Sequence, residues 1–486
     1  MPITHILHQK LEDLFGIDLR SLALFRMGLA LLIISDLINR GSDLKAHYTD
    51  WGLLPRSVLL EKFWKPWNFS IHLLNGLVEL QFVLFLFAGA LAIALFIGYR
   101  TRLTTVLSWI LLISLHSRNP MVLQGGDVLF RLLLFWGMFL PLGATYSIDS
   151  ALNLSPPNSS KRVLSVGTFA MLLQVGFVYW FTFLLKDHSI WKNGEAIYYA
   201  FSIDQFTAPL GYVLYEYPAV MKALTYATLG LEGFGPFLAF VPFWTGIFRL
   251  LAVLFFIGFH FGLLMTMELG LFPYIGMVAW FVFIPSWFWD KLFAWIKAPE
   301  RIDATIYYDG NCAFCKKATL LLRSFFLFPE TTLRAAQEVT SIHEAMERYN
   351  SWVVVNSKGH RFYKFEAWVY LCRISPILFV AYPLFAWKPI QRMGNHLYET
   401  VARHRQIASK LTAFLKYRTI NISLPWQFQL FALVCLLYVF SWNVRSTDFS
   451  KYQTVFPRSY NWFAQLLRLD QRWSMFSPYP RKDDGW

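Results

Sequence analysis

Long apolar stretches recur through the first 290 residues of the chain, and one more follows near residue 430. An α-helix needs about 17–25 mostly apolar residues to cross a bilayer. Tryptophan and tyrosine crowd the ends of these stretches, where an interfacial aromatic belt is expected. The pattern therefore predicts about nine transmembrane helices, near residues 20–38, 76–98, 102–117, 127–146, 163–186, 219–242, 246–266, 269–290 and 425–443.

Between Glu300 and Leu415 charges become frequent and the apolar runs shorten. The pattern there predicts a strand at "DATIYYDG", a helix at "CAFCKKATLLLRSFFLF", a hairpin at "SWVVVNSKGHRFYKF", and helices at "EAWVYLCRI" and "MGNHLYETVARHRQIASKL". The predicted fold class is a polytopic α-helical membrane protein with an inserted small α/β domain. We expect a transmembrane domain at 1–299, the inserted domain at 300–415, and a last transmembrane helix with a C-terminal tail at 416–486.

Composition agrees with a multi-pass protein of the cell membrane. Hydrophobic residues make up 56% of the chain and charged residues 15%, whereas soluble domains carry about 25% charged residues. The net charge of +14 would suit nucleic-acid binding in a soluble protein. Here lysine and arginine flank the apolar stretches, where they set topology and contact anionic lipid head groups. We expect membrane lipids and no nucleic acid as partners, and we place the N-terminus and the inserted domain in the cytoplasm.

Two of the four cysteines stand two residues apart, in "YYDGNCAFCKK". The turn signal Asp-Gly-Asn precedes Cys312 and places it at the start of a helix. Free N–H groups and the macrodipole favour a thiolate there, and Lys316 and Lys317 add positive charge. Cys315 follows one helical turn later, where it can resolve a mixed disulfide. The spacing therefore favours a dithiol redox couple.

A structural pair and half of a metal site are the alternatives for these two cysteines. Zinc would need two more ligands, and the sequence has no second CxxC motif and no HxxxH motif. No metal site is predicted. The isolated Cys372 and Cys435 are predicted to be packing residues.

The pattern Tyr308-Asp309-Gly310-x-Cys312-x-x-Cys315 resembles the signature of the DCC family of thiol–disulfide oxidoreductases, over about residues 302–410. The resemblance implies a thioredoxin-like domain with Cys312 as attacking thiolate and Cys315 as resolving thiol. The resemblance also places Tyr308, Asp309 and Gly310 on the substrate-binding side of the site. The implied partner is a protein or small molecule that carries a thiol or disulfide.

The membrane part resembles the HTTM domain, the transmembrane module of vitamin K-dependent γ-carboxylase. Four segments carry the resemblance in the right order: "SLALFRMGLALLIISD", "LHSRNPMVLQGGDVLFRLLLFWGMFLPLGATYSID", "GFHFGLLMTMELGLFPY" and "LDQRWSMFSPYP". In "YWFTFLLKDHSIWKNG", Lys186 is followed by Trp191 at the spacing of the carboxylase's base. The resemblance implies that Lys186 is a catalytic base beside Trp191. The residues alone leave open that Lys186 snorkels at the membrane boundary.

Ionisable residues inside predicted spans mark candidate functional positions. Asp127 and Arg131 are spaced i,i+4 and are predicted to pair. His260 and Glu268 lie two helical turns apart, so we expect them to share a helical face, with His260 lining a cavity. The full set is Arg26, Asp36, Glu79, Asp127, Arg131, Glu232, Arg249, His260 and Glu268.

These observations predict a membrane-bound thiol–disulfide oxidoreductase coupled to a lipid- or quinone-binding membrane domain. The residues establish no cofactor, and the HTTM resemblance implies a quinone or vitamin K-like lipid as the candidate. Two alternatives stay open: a carboxylase-like membrane enzyme that uses the Lys186 base, and a non-catalytic membrane scaffold or transporter.

Overall fold

A computed structural model describes residues 3–155, 160–296, 304–328, 331–447 and 457–480. The predicted domain boundary after residue 299 and the end of the tail at 481–486 lie outside these ranges. Within them the fold is mostly helical (69%).

Five of the described helices are long and apolar enough to cross a membrane. A sixth crossing arises if the pair Phe272–Phe283 and Ser286–Ile296, bent by 89°, is one broken span. These helices fall on six of the predicted stretches, and they are consistent with a membrane protein. The five are Leu19–Ser42, Val78–Phe96, Val166–Leu185, Thr245–Thr266 and Trp426–Ser446.

The other three predicted spans are helical but do not confirm nine crossings. Thr101–Arg118 contains many polar residues, which lower its overall hydropathy, and their side chains are buried inside the bundle. Gly125–Gly137 has only 13 residues, fewer than the ~17 that a span needs. Pro218–Leu238 carries Pro236 and three glycines within its length. Burial by neighbouring helices explains why Thr101–Arg118 and Gly125–Gly137 are tolerated there.

Shorter helices connect these elements and form the inserted domain. The short α-helices are Ile3–Phe15, Leu44–Tyr48, Arg56–Lys62, Ile148–Ala151, Ser189–Lys192, Ala196–Phe201, Pro209–Tyr215, Ala313–Phe325, Thr340–Tyr349, Lys364–Ile374, Tyr382–Phe385, Lys388–Arg403, Arg405–Leu411 and Asn461–Leu467. Turns of 3₁₀-helix lie at Ile71–Leu73, Pro120–Val122, Asp204–Phe206, Phe281–Phe283, Ala336–Glu338, Phe379–Ala381 and Arg458–Tyr460.

The charged residues of the bundle pair differently from the prediction. Asp127 does not pair with Arg131: its carboxylate contacts Arg40 Nη2 at 2.5 Å, and Arg131 contacts Asp470 at 3.2 Å. The cause is local, since Asp127 lies in the first turn of its helix and accepts a hydrogen bond from the backbone N–H of Gln124 at 2.7 Å. That capping contact turns the carboxylate back toward the helix start.

Two small sheets occur in the described residues. β1 (Ile17–Asp18) pairs antiparallel with β2 (Arg162–Val163). The inserted domain holds the other sheet, in the order β4–β3–β5–β6. Its strands are β3 (Thr305–Tyr308), β4 (Thr332–Ala335), β5 (Val353–Val355) and β6 (Arg361–Tyr363).

The sheet of the inserted domain is mixed. β3 runs parallel to β4, with Thr305 opposite Thr332, and antiparallel to β5, with Ile306 opposite Val354. β5 and β6 form the predicted hairpin, whose turn contains Gly359 at φ +78°. The parallel pair is joined through the helix Ala313–Phe325, which we call the redox helix.

The inserted domain contacts one end of the helical bundle. The redox helix packs against the short helix Ile148–Ala151. Beyond the domain, Arg418 exchanges backbone hydrogen bonds with Leu152 and Leu154, at 3.1 and 2.8 Å. The Tyr99 hydroxyl donates to the Phe414 carbonyl at 3.3 Å. The cysteine pair is therefore carried on the bundle end formed by the loops around Tyr99 and residues 148–154.

Candidate functional site

The cysteine pair occupies the first turn of the redox helix, as predicted. Cys312 is the N-cap residue, with extended backbone angles, and its Sγ accepts a hydrogen bond from the Cys315 N–H at 3.2 Å. The two cysteines are joined by a disulfide, and both are half-buried. The helix stays in place because Leu322 on its apolar face is buried in a cluster with Ile306 and Val354 of the sheet. The backbone that carries the half-buried pair is thus held by the core of the domain.

Asp309 fastens the turn before the redox helix. Its Oδ1 accepts the Asn311 N–H at 3.0 Å and the side-chain amide of Gln337 at 2.9 Å. Its Oδ2 lies 3.4 Å from Arg405 Nη1. One carboxylate therefore joins the turn, the end of β4 and the helix Arg405–Leu411. Sequence reasoning missed Gln337 and Arg405 because no local pattern links residues that lie 28 and 96 positions away.

Gly310 and Tyr308 also have contacts within the fold. The Gly310 N–H donates to Gln337 Oε1 at 3.0 Å, and an added Cβ there would lie 3.0 Å from the same oxygen. Tyr308 ends β3 and is half-buried. The predicted substrate-binding side of the site is therefore a turn, next to the cysteine pair, that is held by hydrogen bonds to Gln337. Its role toward a substrate stays a prediction.

The two lysines that follow the pair differ in surroundings. The Lys317 ammonium donates to the Thr412 carbonyl at 3.1 Å and lies 6.0 Å from the Tyr417 ring centre. Lys316 is exposed on the first turn. Lys316 is therefore the lysine whose charge faces solvent beside the cysteines.

The isolated cysteines are buried, in agreement with a packing role. Cys372 is 2% exposed and Cys435 is 0% exposed. Burial raises the pKa of the Cys372 thiol to about 11, so this thiol stays protonated at neutral pH. Within the described ranges no group of three His, Cys, Asp or Glu side chains could hold a metal ion.

Lys186 does not snorkel to the surface. It is 6% exposed, and its ammonium lies 2.7 Å from both carboxylate oxygens of Glu232. The ammonium also sits 4.1 Å from the Trp191 ring centre. The fold thus brings together Lys186 and Trp191, the two residues that the HTTM resemblance had placed in one site. Glu232 was visible in the sequence as a charge inside an apolar run, but its partner was not.

The tail packs beside this lysine. The Trp191 indole N–H donates to the Phe476 carbonyl at 3.0 Å, and the Ser477 hydroxyl donates to the Leu185 carbonyl at 2.5 Å. Both tail residues belong to the segment "LDQRWSMFSPYP". The structure therefore joins two sequence segments that are almost 300 residues apart.

His260 is buried in the bundle and does not share a helical face with Glu268. The helix Thr245–Thr266 ends before Glu268, whose backbone N–H donates to the Phe206 carbonyl at 2.9 Å. His260 Nε2 instead lies 2.7 Å from the Tyr179 hydroxyl. The predicted pair was wrong because the helix does not continue through the two turns that the spacing assumed.

The cysteine pair and the lysine lie at opposite ends of the bundle. Lys186 caps the C-terminal end of the helix Val166–Leu185. Residues 148–154, which contact the inserted domain, precede the N-terminal end of that helix. Its 20 residues span about 30 Å at 1.5 Å per residue. The cysteine pair and Lys186 therefore belong to two separate candidate sites.

Comparison with known proteins supports the cysteine site. Residues 306–411 match the DCC1-like thiol-disulfide oxidoreductase family, so the inserted region is a domain of that class and supports a thiol–disulfide redox role. No curated protein and no solved structure matched the chain. The match covers the inserted domain, and the HTTM resemblance of the membrane part stays a prediction.

Proposed function

We propose that this protein is a membrane-bound thiol–disulfide oxidoreductase whose redox centre is Cys312 and Cys315. The observation that carries the proposal is the position of the CxxC pair on the first helical turn of a DCC1-like domain. There the helix N-terminus stabilises negative charge on Cys312. The strand order β4–β3–β5–β6, with the redox helix between β3 and β4, agrees with a thioredoxin-like domain.

The exchange proceeds in two substitutions at sulfur. With the pair reduced, the Cys312 thiolate attacks one sulfur of a substrate disulfide, and the other sulfur leaves as a thiolate. The Cys315 thiolate then attacks Cys312 Sγ and expels the second substrate thiolate. The substrate gains two electrons, and the domain is left with the Cys312–Cys315 disulfide. The reverse sequence oxidises a substrate dithiol.

The experiment uses the full-length protein in detergent, equilibrated with reduced and oxidised glutathione at several ratios. Alkylation that adds mass to free thiols reports the oxidised fraction of the pair. We expect one two-electron transition in the parent protein and in Cys372→Ser. Cys312→Ser should show no such transition, whereas Cys315→Ser should hold glutathione on Cys312 because the resolving attack is lost. An unchanged transition in Cys312→Ser would overturn the proposal.

A second activity is favoured by the buried Lys186. Lys186 must lose a proton before it can act as a base, and the Glu232 carboxylate, 2.7 Å from its nitrogen, can accept that proton. The neutral amine can then take a proton from a bound acid. We propose as the alternative function a base-catalysed reaction on a quinone- or vitamin K-like lipid in an HTTM-like membrane domain. The roughly 30 Å between the two ends of the bundle supports two separate activities over direct electron transfer between them.

Three variants separate the two proposals. Lys186→Arg keeps the charge but cannot lose its proton at physiological pH. If Lys186 is a base, oxidation of a vitamin K-type hydroquinone by dissolved oxygen should fall in Lys186→Arg and Lys186→Ala and persist in Cys312→Ser. Glutathione exchange should persist in both Lys186 variants and be lost in Cys312→Ser. Equal hydroquinone turnover by the parent protein and Lys186→Arg would remove the base-catalysed alternative.

A further inference from the structure

A cavity of about 610 Å³ opens at the end of the bundle away from the inserted domain. Its walls come from the C-terminal ends of the helices Thr101–Arg118 and Trp426–Ser446 and from tail residues 465–472. The other end of Thr101–Arg118 follows Tyr99, which contacts Phe414 beside the inserted domain. A cavity of this size lies within the ~300–1,000 Å³ range of small-molecule sites.

The described residues that line this cavity include five cations and a single carboxylate, Asp470. We call it the basic cavity. The cations are Lys65, Arg131, Arg445, Arg468 and Arg472. Like charges held together in a partly enclosed space repel one another and create a strong field for an anion. The arrangement therefore requires a counter-charge beyond Asp470.

Asp470 is already engaged by the two innermost arginines. Its Oδ2 lies 3.2 Å from Arg131 Nη2, and its Oδ1 lies 3.6 Å from Arg468 Nε. Arg131 is 2% exposed and Arg468 has a side chain that is 11% exposed. Both guanidinium groups are also fixed by neutral acceptors: Arg131 Nη2 donates to the Asp470 carbonyl at 2.6 Å, and Arg468 Nη1 donates to the Ser117 hydroxyl at 2.5 Å. The floor of the cavity is thus a pre-arranged pair of guanidinium groups.

The rim adds two further cations, and one of them, Lys65, lies within electrostatic reach of Asp470 without forming an ion pair with it. Lys65 and Arg472 are exposed, and no described residue forms an ion pair with either of them. Arg445, by contrast, is held by Asn461 Oδ1 at 2.7 Å and stacks 4.4 Å from the Trp442 ring centre. Lys65 and Arg472 are therefore the two cations whose side chains are free to move and contact a ligand.

His116 supplies a second sign of a ligand. Its side chain lines the basic cavity and is 0% exposed. Nε2 lies 3.4 Å from an Asp127 oxygen that Arg40 also contacts, whereas Nδ1 has no hydrogen-bond partner among the described residues. A buried polar atom without a partner is unfavourable, and a polar group of a ligand in the cavity would supply one.

The lining also contains apolar residues, which we call the apolar wall: Leu59, Phe63, Pro120, Leu123 and Val128. Five cations alone would suit any small polyanion. An apolar wall beside them suits an anion that carries a hydrocarbon substituent, because the substituent gains free energy by leaving water.

We propose that the basic cavity binds an anionic, phosphate-bearing ligand. Its phosphate would lie on Arg131 and Arg468, Lys65 and Arg472 would close on it from the rim, and its substituent would lie against the apolar wall. Arginine guanidinium groups match phosphate oxygens in charge and in fork geometry. A phospholipid head group and a soluble phosphate ester share this chemistry. The site is distinct from the cysteine pair and from Lys186, and binding there does not depend on thiol–disulfide exchange or on base catalysis.

The test measures ligand retention by the full-length protein after purification in detergent. Native mass spectrometry follows bound phosphatidylglycerol and phosphatidylcholine after each is added, and inorganic phosphate serves as competitor. The deciding variant is Lys65→Gln/Arg472→Gln, because these exposed side chains have no partner in the described fold whose loss would unfold it. Arg373→Gln, at an exposed residue of the inserted domain, removes one positive charge away from the cavity and is the control.

We expect the parent protein and Arg373→Gln to retain the anionic lipid over phosphatidylcholine. The rim double variant should lose at least about tenfold in affinity, since charge-assisted hydrogen bonds contribute about 1.5–3 kcal/mol each. Displacement by millimolar phosphate would assign the site to a soluble phosphate ester, and resistance to phosphate would assign it to a lipid; both outcomes support the phosphate site. Equal retention by the parent and the double variant, or an equal loss in Arg373→Gln, would overturn it.

Discussion

The ammonium of Lys186 lies 2.7 Å from each carboxylate oxygen of Glu232, and the side chains are 4% and 6% exposed. One residue ends the helix Val166–Leu185 and the other lies within Pro218–Leu238. The pair therefore ties two helices of the bundle together at a point where neither charge reaches water. A charge left alone in such a place is costly, so the two residues depend on each other.

Glu232→Ala should destabilise the protein by about 3–5 kcal/mol, because it leaves a buried ammonium without its partner. The double variant Lys186→Met/Glu232→Leu should recover most of that loss, since no charge then remains in the apolar site. Thermal unfolding in one detergent measures both. Additive losses in the double variant would mean that the two charges do not stabilise each other.

Alkylation of the reduced protein at about pH 6.5 should label Cys312 first, because a helix N-terminus lowers the pKa of a thiol. Cys372 should stay unlabelled, since burial raises the pKa of its thiol to about 11 and thiolate is the reactive form. Raising the pH toward that value should label Cys372 progressively. Peptide mapping after a short pulse distinguishes the sites, and uniformly slow labelling of all cysteines would contradict an activated Cys312.

Asp309→Ala should loosen the turn before the redox helix, because three donors lose their acceptor. We expect a loss of about 1–3 kcal/mol in the stability of the inserted domain. Asp309→Asn keeps an oxygen for the Asn311 N–H and should lose less, since a partly exposed ion pair contributes only about 0–1 kcal/mol. The rate at which buried Cys372 becomes alkylated in increasing urea reports this stability. Identical rates for Ala and Asn would show that the turn contact is not stabilising.

The helix Trp426–Ser446 should place the inserted domain and the tail on opposite sides of the membrane. Its apolar window has a mean hydropathy of 1.5, and its 21 residues match the length of one crossing. Reporter fusions after residue 299 and after Ser446 measure the two sides, and the first should report the cytoplasm. The same side for both fusions would remove this helix from the set of spans.

The elements that could be predicted from the sequence are those with local causes. A long apolar run specifies a helix in a membrane because every backbone group must be bonded within the segment. Strand periodicity, the turn at Asp309-Gly310-Asn311 and the following CxxC likewise specified β3, the redox helix and the position of both cysteines. These features need only neighbours along the chain, which is why they were predicted and then found in the structure.

The charge pairs of the bundle depend on the folded structure. Lys186 pairs with Glu232 and Asp127 pairs with Arg40, although the sequence left a snorkelling Lys186 open and predicted a pair between Asp127 and Arg131. Folding also assembles the basic cavity from helix ends and tail residues that lie more than 400 positions apart. Buried ionisable groups choose partners by distance in the folded bundle, where desolvation makes each missed contact costly. The number of residues between two charges along the chain does not predict their distance in the folded bundle.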